Sequence, residues 1–182
     1  GTMTATVGTV EYDGGAQDIF DDNYFNLEID GSGIKTLPQG DIQINGDLSL
    51  TAGSLNYNSN STSSKFIDLK GSVLGTGTIT ASRSSIFFIS GTGTNQDIRG
   101  ISSDYIGIRL NNSANATTSG DISIKYLDLL SSSTGTFTID GETVTINPTG
   151  GKLEMDGGDL TVSSGSLIIN STGTTTNELD AG

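Results

Sequence analysis

Closely spaced carboxylates are the residues of this sequence best suited to chemistry. Asp18, Asp21 and Asp22 lie close together in the chain, and Asp13 precedes them. Paired Asp or Glu side chains can act as general acid and general base, and glycosidases and polysaccharide lyases that use such pairs occur on β-helices. The cluster therefore raises the hypothesis of a carbohydrate-active enzyme.

Internal repetition favours a structural role for these carboxylates. A second copy of the segment keeps only Asp97 and Asp104, and a repeated unit that keeps part of a cluster indicates solvated turn residues. Carbohydrate-active enzymes also line their grooves with aromatic side chains, whereas aromatic residues make up 6% of this chain. Several of the aromatics fall at inward strand positions, namely Phe25, Tyr57 and Phe137. We therefore predict no catalytic residues and no enzymatic activity.

Calcium binding is a separate hypothesis for the Asp18–Asp22 loop. Calcium takes six to eight oxygen ligands, which loops rich in Asp and Asn can supply. The glycine-rich nonapeptide that marks calcium-binding β-rolls is absent, and "MDGGD" (Met155–Asp159) matches it only in part. We predict no metal site and no cofactor, while calcium binding by the Asp18–Asp22 loop stays open.

The composition excludes several other kinds of site. The chain has no His and no Cys, so Ser–His and Cys–His nucleophile pairs and the usual zinc sites are absent. The "GTGT" segments Gly75–Thr78 and Gly91–Thr94 are not followed by Gly-Lys-Ser/Thr, which indicates turns rather than phosphate loops.

The charge of the chain limits its partners. The net charge is −13, which repels both nucleic-acid backbones and anionic lipid headgroups. The longest apolar run is "IFFI" (Ile86–Ile89), far shorter than the roughly 20 residues of a membrane span. We therefore predict neither nucleic-acid binding nor membrane insertion.

Alternating threonines suggest an ice-binding surface as a further alternative. Three segments carry them: Thr76, Thr78 and Thr80; Thr134, Thr136 and Thr138; Thr143 and Thr145. Ice binding requires such pairs in register on every turn of a repeat. The uneven intervals between the segments predict that the pairs fall on different faces, and outward Thr is common in strands because it suits a pleated surface.

Alternation of apolar and polar residues is the dominant pattern. It predicts short half-buried strands, and no segment shows a sustained helical period. The clearest apolar pairs are Leu27/Ile29, Ile42/Ile44, Leu48/Leu50, Ile108/Leu110, Ile122/Ile124, Val144/Ile146 and Leu160/Val162. Gly, Ser, Thr and Asn make up 88 of the 182 residues, as in a flexible linker, but the regular apolar pairs argue against disorder. The chain is therefore predicted to be all-β.

Two internal repeats indicate how the strands are arranged. "GDLSLTAGSLNYNS" (Gly46–Ser59) returns much later in the chain as "GDLTVSSGSLIINS" (Gly158–Ser171), with more than half of the positions identical. Segments from Gln17–Ile44 also match segments from Gln96–Ile124 at a nearly constant offset. Repeats built only of short strands favour a solenoid over a β-sandwich, and the lack of Trp and of regular tight hairpins argues against a propeller.

The predicted fold class is thus an all-β parallel β-helix, or β-solenoid, of roughly seven to eight coils with no helical domain. We predict one segment over residues 1–182, taken from a longer repeat protein, with an internal repeat at about 10–82 and 87–162. Residues 1–3 are interpreted as a cloning remnant. The two copies of the longer motif should then form the same corner of the coil, several turns apart.

The first half of the chain also carries a family resemblance. Within Gly8–Leu55, a Gly-rich strand is followed by "QDI" (Gln17–Ile19), "YFNLEI" (Tyr24–Ile29) and "GDLSL" (Gly46–Leu50). This order resembles the repetitive surface proteins of Bacteroidetes, which are large, adhesin-like, exported β-solenoids that often end in a sorting domain for type IX secretion. The resemblance implies an extracellular solenoid at a cell surface and no particular ligand.

The sequence thus predicts a non-enzymatic, extracellular segment of an adhesin-like or structural surface protein. It would act as a stiff stalk and a contact surface for glycans or proteins, with weak end-to-end self-association through its N-terminal strand. The alternatives are a polysaccharide lyase or hydrolase on the same fold and, less favoured, an ice-binding protein. The core should contain eight inward side chains: Ile42, Ile44, Leu48, Leu50, Ile122, Ile124, Leu160 and Val162.

Overall fold

The structure confirms the predicted fold class. A computed structural model describes residues 7–38, 40–57, 65–92, 95–147 and 151–170, with the backbone of Leu179–Ala181. This part of the chain contains 23 strands and no helix. Residues 1–3 lie outside the described residues, so their interpretation stays a prediction.

The strands are short and follow one another closely. They are β1 (Thr9–Tyr12), β2 (Gln17–Asp18), β3 (Asn23–Tyr24), β4 (Asn26–Ile29), β5 (Ile34–Thr36), β6 (Ile42–Ile44), β7 (Leu48–Leu50), β8 (Ser54–Tyr57), β9 (Lys65–Leu69), β10 (Val73–Gly75), β11 (Thr78–Ala81), β12 (Ser85–Ile89), β13 (Asn95–Ile98), β14 (Ile106–Leu110), β15 (Asn115–Thr118), β16 (Ile122–Ile124), β17 (Tyr126–Leu129), β18 (Thr136–Ile139), β19 (Thr143–Ile146), β20 (Lys152–Met155), β21 (Asp159–Val162), β22 (Ser166–Ile169) and β23 (Leu179–Ala181).

Successive strands visit three faces in turn, and all ladders are parallel. Face one consists of β1-β4-β7-β10 and β13-β15-β18-β21, and face two of β2-β5-β8-β11 and β16-β19-β22. Face three is one eight-stranded sheet in the order β3-β6-β9-β12-β14-β17-β20-β23, which corresponds to about seven turns. The turns differ in length: the turn from Thr9 to its partner Asn26 is shorter than the turn from Tyr126 to its partner Lys152.

Each of the first two faces is interrupted once. On face one, β13 continues the stack of β10 through side chains: the Asp97 amide donates to Ser72 Oγ over 3.0 Å, and Gln96 Nε2 donates to the Gly71 carbonyl. On face two, the fifth coil makes only isolated bridges, Ile79 with Ile101 and Ser102 with Ser123.

Inward apolar side chains form one continuous core. Six of the eight predicted core residues are buried with at most 2% exposure: Ile42, Ile44, Leu48, Leu50, Ile122 and Ile124. The prediction was wrong for Val162, which is 47% exposed, and Leu160 is only half-buried. Val162 pairs in register with buried Ile139, but β21 is the outermost strand of its sheet in the described chain, so no further turn covers it.

The inward aromatics are only partly those expected. Tyr57 and Phe137 are buried as predicted, whereas Phe25 is half-exposed, because it lies at the corner between β3 and β4. Its neighbour Tyr24 is buried instead and pairs with Ile44. The Tyr24 hydroxyl donates to the Phe20 carbonyl over 2.7 Å, which satisfies the polar end of the buried ring.

Asp and Asn side chains at the corners bond one turn to the next. On the way into face one, Asn26 Oδ1 accepts from the Asp47 amide at 2.9 Å, and Asp47 Oδ1 accepts from the Ser72 amide at 2.8 Å. The Oδ1 atoms of Asp41 and Asp121 likewise each accept a hydrogen bond from a backbone amide of the next turn. These acceptors satisfy N–H groups where the ladders stop, which explains the "GD" that precedes β6, β7 and β16.

The repeat of Gly46–Ser59 in Gly158–Ser171 has the predicted structural basis. Over the described residues, both copies form a face-one strand, a corner and a face-two strand, β7–β8 and β21–β22. Each corner needs its glycine: a Cβ on Gly53 would lie 2.7 Å from the Gly33 oxygen, and one on Gly165 would lie 2.2 Å from the Glu142 oxygen. The copies are thus equivalent corners five turns apart.

The two copies of the second repeat, Gln17–Ile44 and Gln96–Ile124, do not lie on equivalent faces of the solenoid. Gln17–Asp18 forms β2 of face two, whereas its match Gln96 lies in β13 of face one. Ile42–Ile44 lies on face three and its match Ile122–Ile124 on face two. The sequence match therefore reflects similar strand patterns one face out of phase, and the limits of the two halves remain a prediction.

Candidate functional site

The predicted carboxylate cluster lies on the first coil, between the end of β1 and the start of β3. Asp13, Asp18 and Asp21 are exposed, and Asp22 Oδ1 accepts the amide of the adjacent Asn23 at 2.8 Å. Within the described ranges, no three His, Cys, Asp or Glu side chains are grouped so that they could hold a metal ion.

The carboxylates of the second copy lie apart. Asp97 is on face one, in β13, while Asp104 lies in the turn before β14. Asp104 lines a shallow cleft of about 280 Å³ with Ser102, Ser103 and Tyr105, at the interruption of face two. Ser103 Oγ donates to the Ala81 carbonyl at 3.0 Å and accepts from two amides at 3.2 Å, so it bonds the turn together.

The threonine pairs do not form a regular array. Thr78/Thr80 in β11 and Thr143/Thr145 in β19 lie on face two, and Thr136/Thr138 in β18 lies on face one. Between the two pairs on face two, the outward column runs through Ser102 and Ser123. The expectation that the pairs fall on different faces is confirmed for β18.

The strongest candidate site is a strip of outward side chains on face three. We call it the aromatic strip and define it as Phe66, Ile86, Phe88, Arg109 and Tyr126. Phe66 pairs in register with Ile86, Ile86 with Gly107 and Gly107 with Tyr126, while Phe88 pairs with Arg109. Four consecutive strands, β9, β12, β14 and β17, therefore place these side chains in two adjacent columns.

Ring contacts run along the strip. The Phe66 and Phe88 rings meet edge to face, with centroids 5.4 Å apart and an interplanar angle of 84°. The Arg109 guanidinium lies between two rings, 5.8 Å from the centroid of Phe88 and 5.7 Å from that of Tyr126. A Cβ on Gly107 would lie 2.0 Å from a ring carbon of Tyr126, so this glycine allows the ring to rest on the backbone of the preceding turn.

A buried carboxylate anchors the strip. Arg109 Nε donates to Asp128 Oδ2 at 2.9 Å, and the Asp128 side chain is 3% exposed. Asp128 Oδ1 has no hydrogen-bond partner in the described structure. Burial raises the pKa of Asp128, Arg109 opposes this rise, and Glu154 adds to it. Burial also raises the pKa of Tyr126, against the effect of Arg109.

One end of the strip contains a small pocket of about 220 Å³. Its lining residues are Phe66, Asp68, Phe88 and Asn111. Ser90 Oγ donates to Asp68 Oδ1, and the Asn111 Oδ1 atom accepts from the Asn112 amide at 2.9 Å and from Ser132 Oγ at 3.2 Å. Both polar side chains are therefore held in place by their neighbours.

The strip was not predicted from the sequence, although its signal was present. In "KFIDL", Ile67 and Leu69 point inward, so alternation directs Phe66 outward; in "SIFFI", Phe87 and Ile89 direct Phe88 outward. An outward Phe on each of two successive strands of one face was the available signal.

No protein-family model, no curated protein and no solved structure matches the chain. The resemblance of Gly8–Leu55 to Bacteroidetes surface proteins therefore stays a prediction. Among the described residues there is no helix of the length and apolarity needed to cross a membrane.

Proposed function

We propose that this chain is a non-enzymatic, extracellular β-solenoid segment of an adhesin-like surface protein, which serves as a stiff stalk and contacts glycans or proteins. The observation that carries the proposal is the aromatic strip on face three. Phe66 is 36% exposed, and the strip is flanked by Ser, Asn and carboxylate side chains. Exposed aromatic groups beside polar ones are typical of recognition surfaces.

The ladders support the role of a stalk. The eight strands of face three pair in parallel, and side-chain bonds between stacked strands reinforce the other faces, as from Asn56 Nδ2 in β8 to Thr80 Oγ1 in β11 at 2.8 Å. Each turn contacts only its neighbours, so more turns lengthen the structure without a new core. Such a rod suits a protein that holds a contact surface away from a cell.

The electrostatics of Asp128 support a role without catalysis. A raised pKa is a common property of a general acid, which must also reach within hydrogen-bond distance of a substrate atom. The Asp128 side chain is 3% exposed and pairs with Arg109. It is therefore suited to positioning Arg109 rather than to transferring protons to a ligand.

The test is to incubate the protein with purified plant, algal and bacterial polysaccharides and to measure both binding and product release. We expect binding without new reducing ends or unsaturated products. Product release that disappears in Asp21→Asn or Asp22→Asn would contradict the proposal and favour the carbohydrate-active enzyme.

A further inference from the structure

The pocket between Phe66 and Phe88 offers both an apolar floor and a polar rim. Because the two rings meet at 84°, one presents its face where the other presents its edge. Pockets for drug-sized ligands span about 300–1,000 Å³. At about 220 Å³, this pocket is suited to a single ring.

The rim supplies one acceptor and one donor in fixed positions. Asp68 Oδ1 accepts from Ser90 Oγ, and the second oxygen of this carboxylate is a further acceptor. Asn111 Oδ1 accepts two bonds, which directs the amide nitrogen, a donor, away from them. Two neighbouring hydroxyls could therefore be bound together, with one donating to Asp68 and the other accepting from Asn111.

The surrounding charges favour a neutral ligand. Asp68 and the net charge of −13 disfavour anionic groups such as uronates or phosphates. A cationic side chain is disfavoured because the Arg109 guanidinium already lies over Phe88, 5.8 Å from its centroid. A purely apolar group would cover the second oxygen of Asp68 and the amide nitrogen of Asn111 without giving either of them a hydrogen bond.

From these features, we infer that the Phe66–Phe88 pocket binds one neutral pyranose unit of a glycan. The C–H face of the sugar packs on the aromatic floor, one hydroxyl donates to Asp68, and its neighbour accepts from Asn111. This inference rests on the proposed contact function and specifies its ligand class and its site.

The experiment titrates the protein with neutral hexasaccharides of glucose, mannose, galactose or N-acetylglucosamine, using calorimetry and ligand-observed NMR. At least one should bind the wild type. Phe88→Leu should weaken binding about tenfold because it removes the aromatic face. Asn111→Asp should also weaken it about tenfold, because it replaces the donor by an acceptor while keeping Oδ1 for Asn112 and Ser132.

Phe20→Leu is the matched control, since this ring is 70% exposed on the first coil. It should bind as the wild type does, and all three variants should keep the wild-type unfolding temperature within a few degrees. No binding of any neutral hexasaccharide would overturn the inference, as would wild-type affinity in both pocket variants. Binding that survives in the pocket variants but is lost in Tyr126→Leu would overturn the pocket while supporting glycan contact by the strip.

Discussion

Replacement of Lys35 by Met should loosen the first coil while leaving the rest of the solenoid folded. Lys35 lies at an inward position of β5, pairs in register with Leu55 and is 0% exposed. Its Nζ atom donates to the carbonyl oxygens of Gly14 at 2.7 Å and Gly15 at 2.8 Å. The side chain thus holds the turn between β1 and β2 from inside the core.

The size of the effect follows from opposing terms. Hydrogen bonds to a charged group contribute about 1.5–3 kcal/mol each, so loss of both costs about 3–6 kcal/mol. Met avoids the burial of a charge, which costs several kcal/mol, and water can reach the carbonyls freed at half-buried Gly14 and exposed Gly15. We expect a net loss of about 1–3 kcal/mol, confined to the first coil.

Hydrogen exchange measures this local loss directly. The Ile19 amide donates to the Thr36 carbonyl and the Asp30 amide to the Tyr12 carbonyl, so both report on how the first coil docks. Their protection should fall about tenfold to a hundredfold, with no change in β12 or β14. Lys70→Met is the control, since Lys70 is exposed and its Nζ atom donates to Asn45 Oδ1 at 2.9 Å, outside the core. Equal exchange in the two variants, or a loss spread evenly along the chain, would refute the reasoning.

Three further predictions concern the core, a pKa and the ends. Ile44→Ala should lower the free energy of unfolding by about 2–5 kcal/mol in urea titrations, whereas Val162→Ala, at an exposed position, should lower it by less than about 1 kcal/mol. Similar losses in the two variants would contradict the assigned core. Because the pKa of Asp128 is raised in the folded state, the wild-type free energy of unfolding should fall as the pH rises from about 4 through that pKa. Asp128→Asn should lack this fall, and parallel pH profiles of the wild type and the variant would contradict the prediction. Self-association through the N-terminal strand should increase with protein concentration in sedimentation experiments and be lost when Val7 and Val10 are both replaced by Lys. An oligomer that persists in this double variant would rule out association through the N-terminal strand.

Alternation was enough to predict the fold and most of the core. In a solenoid, each short strand has one face toward the core, so pairs such as Ile42/Ile44 reveal the inward side without knowledge of distant contacts. The repeat at Gly46–Ser59 and Gly158–Ser171 revealed the coil because equivalent corners face the same steric limits. Both signals are local, which is why they can be read from the chain.

The features that the sequence did not predict depend on packing between turns. Val162 has the inward pattern, but its exposure depends on whether another turn covers it. Lys35 follows the same alternation, and only the position of the Gly14 carbonyl shows why a lysine is tolerated there. The aromatic strip required knowledge of which strands are neighbours on face three, since Phe88 and Arg109 lie on different turns of the chain and pair only through the register of the ladder.

The most direct test of glycan contact by face three is a binding comparison between two triple variants. In one, Phe66, Phe88 and Tyr126 of the strip are replaced by Ser; in the other, exposed Phe20, Ile34 and Leu74 elsewhere are replaced by Ser. Both should keep the circular dichroism spectrum of the wild type, since all six side chains point away from the core. We predict that glycan-array binding disappears in the strip variant and persists in the other. Binding that persists in both variants, or is lost equally in both, would contradict glycan contact by face three.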